Sequence, residues 1–189
     1  DKSGVEITES APHFSTTDIL RSCIGQGSHA YAPIQLARYV TTVANSGTCY
    51  DLTLVDKIKD VDGKTVLNNS AKVRNKVNVA QSTWQAVHNG MYRVVNGAEH
   101  GSIFAGMKKK FAGKTGTAQQ NTLHPNHAYF LSYGPYENPE ISVSCAIPNG
   151  YTSSYAMECA RDVYQYYFGD KKVSGGKATS VGHYARTND

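Results

Sequence analysis

Residues 111–119 read FAGKTGTAQ, an extended segment in which one lysine, two hydroxyl side chains and a glycine fall within residues 114–117. On a strand, Lys114 and Gly116 point to one face and Thr115 and Thr117 to the other, unless the strand twists. Gly116 lets a ligand approach the main chain closely. The segment is therefore predicted to be a strand that binds an extended ligand along its edge, with the lysine charge and the threonine hydroxyls binding a carboxylate.

Two further strands are predicted downstream, at residues 128–133 and 140–147. In the second, the apolar residues Ile141, Val143, Cys145 and Ile147 alternate with small ones, which is typical of a strand with one face on a core. Residues 134–139 read GPYENP and predict a short turn between the two strands. The pair is therefore expected to form an antiparallel hairpin.

Three segments have the spacing of apolar residues that predicts helices. Residues 32–45 carry Pro33 in the expected first turn and Gly47 just after the end. Residues 80–95 are expected to bury Trp84, Val87, Met91 and Val94. The third helix is predicted to start at a Ser153 or Ser154 cap and end at Phe168. Its predicted apolar face consists of Ala156, Cys159, Ala160, Val163 and Tyr167.

A second hairpin is predicted at residues 52–67, because the Asp62-Gly63 pair supplies the positive φ that a tight turn needs. Together the elements predict an α+β fold in which helices cover an antiparallel sheet. Residues 1–169 are expected to form the C-terminal portion of a larger domain. Residues 170–189, rich in Lys, Ser, Gly and Thr, are expected to be a tail or a loosely packed extension.

Composition excludes several functional classes. The chain has 189 residues, 40% hydrophobic and 18% charged, which suits a single globular core. The net charge of +4 is mild, and Lys108–Lys110 is interpreted as a solvated turn, so nucleic acid is not an expected partner. No apolar run is long enough for a membrane span, so any anchor or export signal is expected to lie outside this chain.

The cysteines and histidines do not predict a metal or redox site. Cys23, Cys49, Cys145 and Cys159 include no Cys-x-x-Cys pair, and Cys145 and Cys159 are predicted to be buried free thiols. His124 and His127 stand three apart, but no acidic residue or cysteine accompanies them. His127 is interpreted as a strand residue near the mouth of the site. No metal and no organic cofactor is expected.

In the order and spacing of its motifs, the chain resembles the transpeptidase domain of class B penicillin-binding proteins. The resemblance covers residues 22–168, and the joint occurrence of the motifs is more specific than Lys-Thr-Gly alone, which is common. The motifs are IGQG at 24–27, APIQLAR at 32–38, KTGTAQ at 114–119, HAYF at 127–130, GPY at 134–136, NPEI at 138–141 and NG at 149–150.

The resemblance implies roles for the residues of the Lys114 strand. Lys114 supports the proton and charge network around a serine nucleophile, while Thr115, Gly116 and Thr117 bind the carboxylate of a substrate or a β-lactam. The main-chain N–H of Thr117 is implied to be one of two oxyanion donors. Gly25, Gln26 and Gly27 are interpreted as structural, shaping the turn before a helix.

The family's nucleophile motif is not found where it is expected. Members carry a Ser-x-x-Lys and a Ser-x-Asn ahead of the Ile-Gly-Gln-Gly segment, and this chain begins too late to hold either. Residues 1–189 alone are therefore expected to be inactive and to need an N-terminal part of the same protein. Ser174-Gly175-Gly176-Lys177 matches formally, but it follows the Lys114 strand in a Gly-rich tail and is interpreted as accidental.

The resemblance implies that the intact protein is a serine D,D-transpeptidase. Such an enzyme cross-links peptidoglycan stem peptides ending in D-Ala-D-Ala through an acyl-enzyme, and it is acylated by β-lactams. It is expected at the extracytoplasmic face of the bacterial membrane. One alternative is a non-catalytic β-lactam-sensing or scaffold module of the same fold. A remote alternative is a dinucleotide-binding protein, since residues 25–30 satisfy Gly-x-Gly-x-x-Ala.

Overall fold

The computed structural model describes residues 15–26, 31–119 and 123–169. Within these ranges the helices and strands occur in the order α1 Thr16–Ser22, α2 Pro33–Ala44, β1 Thr48–Tyr50, β2 Lys57–Lys59, β3 Thr65–Asn68, β4 Val73–Lys76, α3 Gln81–Asn96, β5 Ala112–Ala118, β6 His127–Gly134, β7 Ile141–Ile147 and α4 Ser153–Tyr167. The predicted tail, residues 170–189, lies outside the described residues.

The main sheet has the order β5-β6-β7 and is antiparallel throughout. Thr115 lies opposite Phe130, and Phe130 lies opposite Cys145. The short strands form two smaller antiparallel pairs, β1 with β4 and β2 with β3. Strands β6 and β7 follow one another in the chain and pair antiparallel, so the predicted hairpin is confirmed.

Helix α4 covers one face of the main sheet over the larger core. This core is aromatic: Phe111 stacks on Tyr164 with ring centroids 4.2 Å apart. Tyr164 is fully buried, and its hydroxyl lies 2.8 Å from the buried Ser132 Oγ, to which it donates. The other buried members are Val95, Phe104, Met107, Ala128, Phe130, Cys145, Ala156, Met157 and Ala160.

Helices α2 and α3 cover the opposite face over a smaller core. Val40, Ala112 and Tyr133 are buried there, with Met91 and Leu131 packed against them. The sheet is therefore enclosed between helices on both faces, and the predicted α+β class, an antiparallel sheet covered by helices, is confirmed. None of the helices among the described residues is long and apolar enough to cross a bilayer.

The hairpin predicted at residues 52–67 forms, but its first strand begins only at Lys57. Gly63 has the positive φ expected of the Asp-Gly turn, at 82°. Asp60 tightens that turn, since its Oδ1 accepts from the main-chain N–H groups of Asp62 and Lys64 at 3.0 and 2.9 Å. These contacts join residues that are close in sequence, so the sequence predicted the turn better than it predicted the start of the strand.

The predicted inward faces of α3 and α4 are partly wrong. Val87 is exposed, and His88, whose Nε2 lies 2.8 Å from the carbonyl oxygen of Val43, turns towards α2 instead. On α4, Val163 is exposed while Tyr164 is buried. In both helices a polar residue faces inward because a distant element supplies its hydrogen-bond partner, which offsets the cost of burying a polar group.

Smaller corrections concern the ends of two helices. The N-cap of α4 is Thr152, whose side chain accepts from Ser154 N–H, rather than Ser153 or Ser154. In α2, Val40 and Val43 are buried, but Ile34 is 52% exposed because it belongs to the first turn.

The prediction of two buried thiols in Cys145 and Cys159 is half wrong. Cys145 and Cys49 are buried, whereas Cys159 and Cys23 are exposed. Burial raises the pKa of Cys145 to about 12, with the neighbouring Cys159 thiol adding to the effect. Since the thiolate is the nucleophile, Cys145 is protected both by access and by protonation.

We expect an aromatic disulfide reagent at about pH 8 to modify two of the four thiols rapidly and the other two only after unfolding in urea. Replacing Cys23→Ser and Cys159→Ser together should abolish the rapid phase, which stopped-flow absorbance follows. Rapid reaction of Cys145 or Cys49 in the native protein would contradict the packing of β1 and β7 described above.

Candidate functional site

Among the strands that the structure describes, β5 lies at the edge of the main sheet, with β6 as its paired neighbour. Three contacts fix which of its main-chain groups face the open edge. Asn96 Nδ2 donates to the carbonyl of Phe111 at 2.9 Å, Lys114 Nζ donates to that of Thr115 at 2.8 Å, and Gln26 Nε2 donates to that of Thr117 at 3.3 Å.

In an antiparallel strand the N–H and C=O of one residue point the same way, and successive residues alternate. Thr115 and Thr117 therefore direct both main-chain groups to the open edge, while Lys114 and Gly116 direct theirs towards β6. The N–H of Thr117 consequently faces outward, where an incoming group can accept its hydrogen bond. This is the geometry that an oxyanion donor requires.

The lysine reaches the same edge although its Cβ lies on the other face of the strand. Lys114 is exposed, and its side chain curls along β5 to place Nζ 2.8 Å from the outward carbonyl of Thr115. Lys114, Thr115 and Thr117 are thus brought together, as predicted. Alternation along the strand places the Lys114 side chain on the face opposite the threonines, but the lysine is long enough to reach the edge at Thr115.

Gly116 is favoured by packing as well as by access. A Cβ at this position would lie 3.2 Å from the Cβ of Tyr129, the residue directly opposite on β6. Such a contact is tighter than ordinary van der Waals packing. Gly116 therefore lets Tyr129 sit close against β5, which shapes the wall of the site.

A cavity of about 740 Å³ lies over this part of β5. Its floor is residues 114–118, and the turn of residues 23–26 forms one side. The remaining wall is apolar and aromatic, formed by Tyr31, Leu36, Tyr39, Tyr129 and Leu131. Polar groups on one edge with an apolar wall opposite, at this volume, are typical of a site for a small molecule or a peptide end.

The sequence did not point to the aromatic wall or to a contact role for Gln26. Leu36 and Tyr39 are three residues apart on α2, so helical spacing could have predicted that they lie on the same side of the helix. Tyr129 was readable only as a strand residue. Gln26 was interpreted only as part of a structural turn, and no local pattern linked it to Thr117, which is 91 residues away.

The dinucleotide motif does not have the strand that it requires ahead of Gly25. Gly25 follows helix α1, not a strand, so the strand-turn-helix of a dinucleotide site is absent at this point, and that alternative is wrong. Residues 27–30 and 174–177 lie outside the described residues. His127 begins β6 opposite Ala118, at the end of the site, and its Nδ1 accepts from Asn149 N–H at 3.0 Å.

Comparison with known proteins identifies the family. The profile of the penicillin binding protein transpeptidase domain matches residues 2–165. The chain belongs to this transpeptidase family. The peptidoglycan D,D-transpeptidase MrdA of Haemophilus influenzae is 31% identical over 173 residues, covering 82% of this chain and 26% of that protein. The resemblance to class B penicillin-binding proteins is thereby confirmed.

Solved structures agree with the transpeptidase family. Penicillin-binding protein 2B of Streptococcus pneumoniae superposes with a TM-score of 0.71 at 27% identity, over 90% of this chain and 28% of that one. Penicillin-binding protein A of Mycobacterium tuberculosis, solved as an imipenem acyl-enzyme complex, gives 0.70 at 24% identity, over 78% and 33%. The chain spans about a quarter of the length of the curated relatives it matches.

Proposed function

We propose that this chain forms the carboxylate-binding and oxyanion-donating wall of a serine-type D,D-transpeptidase. The observation that carries the proposal is the open edge of β5, where Thr117 N–H, the two threonine side chains and the Lys114 ammonium meet in one cavity. A substrate that ends in a carboxylate two atoms beyond a reactive carbonyl would use both the cation and the N–H donor.

The substrate class follows from that arrangement together with the family. A stem peptide ending in D-Ala-D-Ala would place its terminal carboxylate near Lys114, Thr115 and Thr117, which would bind it through charge-assisted hydrogen bonds. A β-lactam carries a carboxylate next to its strained amide and would occupy the same place. Gly116 would leave room for either main chain to approach.

The reaction is nucleophilic acyl transfer. A serine oxygen attacks the penultimate D-Ala carbonyl, its proton passes to a neighbouring lysine, and the oxyanion that forms accepts from Thr117 N–H. The C–N bond then breaks as the lysine passes that proton to the leaving nitrogen, which releases the terminal D-Ala. An amine of a second stem peptide attacks the acyl-enzyme, the serine ester bond breaks, and the amine's proton returns to the serine. The proposal places this chemistry at the extracytoplasmic face of the membrane and assigns the serine to a Ser-x-x-Lys segment outside residues 1–189.

Labelling with a fluorescent penicillin tests the proposal. The intact gene product that contains this chain is expected to form a covalent adduct that survives denaturation and is lost when the Ser-x-x-Lys serine is replaced by alanine. Residues 1–189 alone are expected to give no adduct, and Ser174→Ala in the intact protein is expected to leave labelling unchanged. Labelling that depends on Ser174 would contradict the assignment of the nucleophile.

Cross-linking separates an enzyme from a β-lactam sensor of the same fold. Given stem-peptide donor and acceptor, the intact protein is expected to release D-alanine and form a cross-linked dimer, both measured by mass spectrometry. Penicillin labelling without either product would instead identify a sensor or scaffold module.

A further inference from the structure

Gln26 makes a contact that neither the motif nor the family assignment explains. Its Nε2 donates to the carbonyl oxygen of Thr117 at 3.3 Å, joining the turn after α1 to the strand that carries the site. Thr117 is also the residue whose N–H faces the open edge of β5. A hydrogen bond that fixes the carbonyl of Thr117 also affects the direction of the Thr117 N–H.

The turn that carries Gln26 is held by its own main-chain hydrogen bonds. Gly25 adopts a left-handed φ of 73°, which reverses the chain after α1. Gln26 N–H then donates to the carbonyl of Arg21 at 2.9 Å, and Gly25 N–H to that of Ser22 at 3.0 Å. The backbone of Gln26 is therefore fixed relative to α1, so its amide is presented from a defined position.

Helix α1 itself is well defined but buries none of its residues. Ser15 and Asp18 form a reciprocal capping box at its start, with Asp18 N–H donating to Ser15 Oγ at 3.1 Å and Ser15 N–H to Asp18 Oδ2 at 3.2 Å. None of its residues is fully buried, and Asp18 and Ser22 are half-buried. The contact from Gln26 to Thr117 is a specific polar link between this turn and β5.

The hydrogen bond acts on the outward side of an edge strand, where the main chain of Thr117 is held by pairing with β6 on the other side alone. The carbonyl of Thr117 belongs to the peptide plane that follows the residue, and its N–H belongs to the plane that precedes it. Fixing the first plane restricts the dihedral angles of Thr117. The direction of the N–H is thereby restricted as well, and an oxyanion donor is effective only when it is oriented before the reaction.

We propose that Gln26 is a positioning residue for acyl transfer, holding the Thr117 carbonyl so that the Thr117 N–H points at the developing oxyanion. The inference rests on the function proposed above and extends it to a residue in the turn after α1. Gln26 touches neither the serine nor the acyl carbonyl in this role. Its effect is expected on the rate of acylation rather than on the affinity for the β-lactam.

Two variants of the intact gene product test the role. Gln26→Ala removes the amide, and Gln26→Met keeps the length of the side chain without an N–H donor or a charge. Stopped-flow acylation by a fluorescent penicillin separates the dissociation constant of the initial complex from the acylation rate constant. We expect the rate constant to fall about three- to tenfold in both variants, the value of one hydrogen bond, with the dissociation constant within about twofold of wild type.

Gln85→Ala is the matched control, since Gln85 is exposed on α3 and does not line the cavity. It is expected to leave both constants and the melting temperature unchanged. The two Gln26 variants are expected to melt with the wild type, because Gln26 lies in a turn and is only half-buried.

The outcomes separate this inference from the proposed function. An unchanged acylation rate constant in both Gln26 variants, or a weakened initial complex with an unchanged rate constant, would overturn the positioning role while leaving the proposed function intact. A wild-type protein that no penicillin acylates would overturn the proposed function and this inference with it. A selective fall in the acylation rate constant, absent from Gln85→Ala, would support both.

Discussion

Thr117→Pro is expected to lower the acylation rate of the intact protein about 10²–10³-fold relative to Thr117→Val, the usual cost of losing one oxyanion donor. Proline removes the main-chain N–H without adding a charge. Since the N–H of Thr117 faces the open edge of β5, its removal breaks no hydrogen bond to β6. Edge positions of this kind are where sheets tolerate proline. The measurement is stopped-flow acylation by a fluorescent penicillin.

Two companion variants separate the groups of the same strand. Thr117→Val keeps the N–H and removes the hydroxyl, so it should weaken acylation by the smaller contribution of one carboxylate hydrogen bond. Gly116→Pro removes an N–H that points towards β6 and should instead destabilise the sheet, which urea unfolding would detect. Equal acylation rates for Thr117→Pro and Thr117→Val would show that the N–H has no part in the reaction.

Phe111→Ala is expected to destabilise the protein by about 3–5 kcal/mol, the usual cost of truncating a buried aromatic residue. Phe111 is 1% exposed and stacks on Tyr164, with Phe104 and Phe168 at 5.7 and 6.0 Å between ring centroids. Removing the ring leaves a cavity beside these aromatic side chains, which adds to the lost burial of the ring. The free energy of unfolding in urea measures the effect.

The control for this substitution is Tyr166→Ala on α4, where the ring is 72% exposed. Its effect should stay within about 0.5 kcal/mol. A loss below about 1 kcal/mol in Phe111→Ala would contradict the packing of the α4 core. The substitution is also expected to affect the β5 site, because Phe111 immediately precedes β5 and its carbonyl accepts a hydrogen bond from Asn96.

Local signals predicted most of the secondary structure because they depend on neighbouring residues. Pro33 and Gly47 bracket α2, Asp62-Gly63 specifies a turn, and alternation from Ile141 to Ile147 specifies a strand. The inward faces of α3 and α4 were less predictable. His88 and Tyr164 are turned inward by partners on other elements, Val43 and Ser132, which periodicity cannot reveal.

The amino-acid sequence by itself determined the family, the α+β class and the identity of the strand with Lys114, Thr115 and Thr117, because these depend on residue types at short spacing. Only the tertiary structure decided which side of that strand is usable. Pairing of β5 with β6 consumes the main-chain groups of Lys114 and Gly116 and leaves those of Thr115 and Thr117 facing the cavity. The fold also brings Gln26 to Thr117 across 91 residues, a contact set by the path of the chain and not by any local pattern.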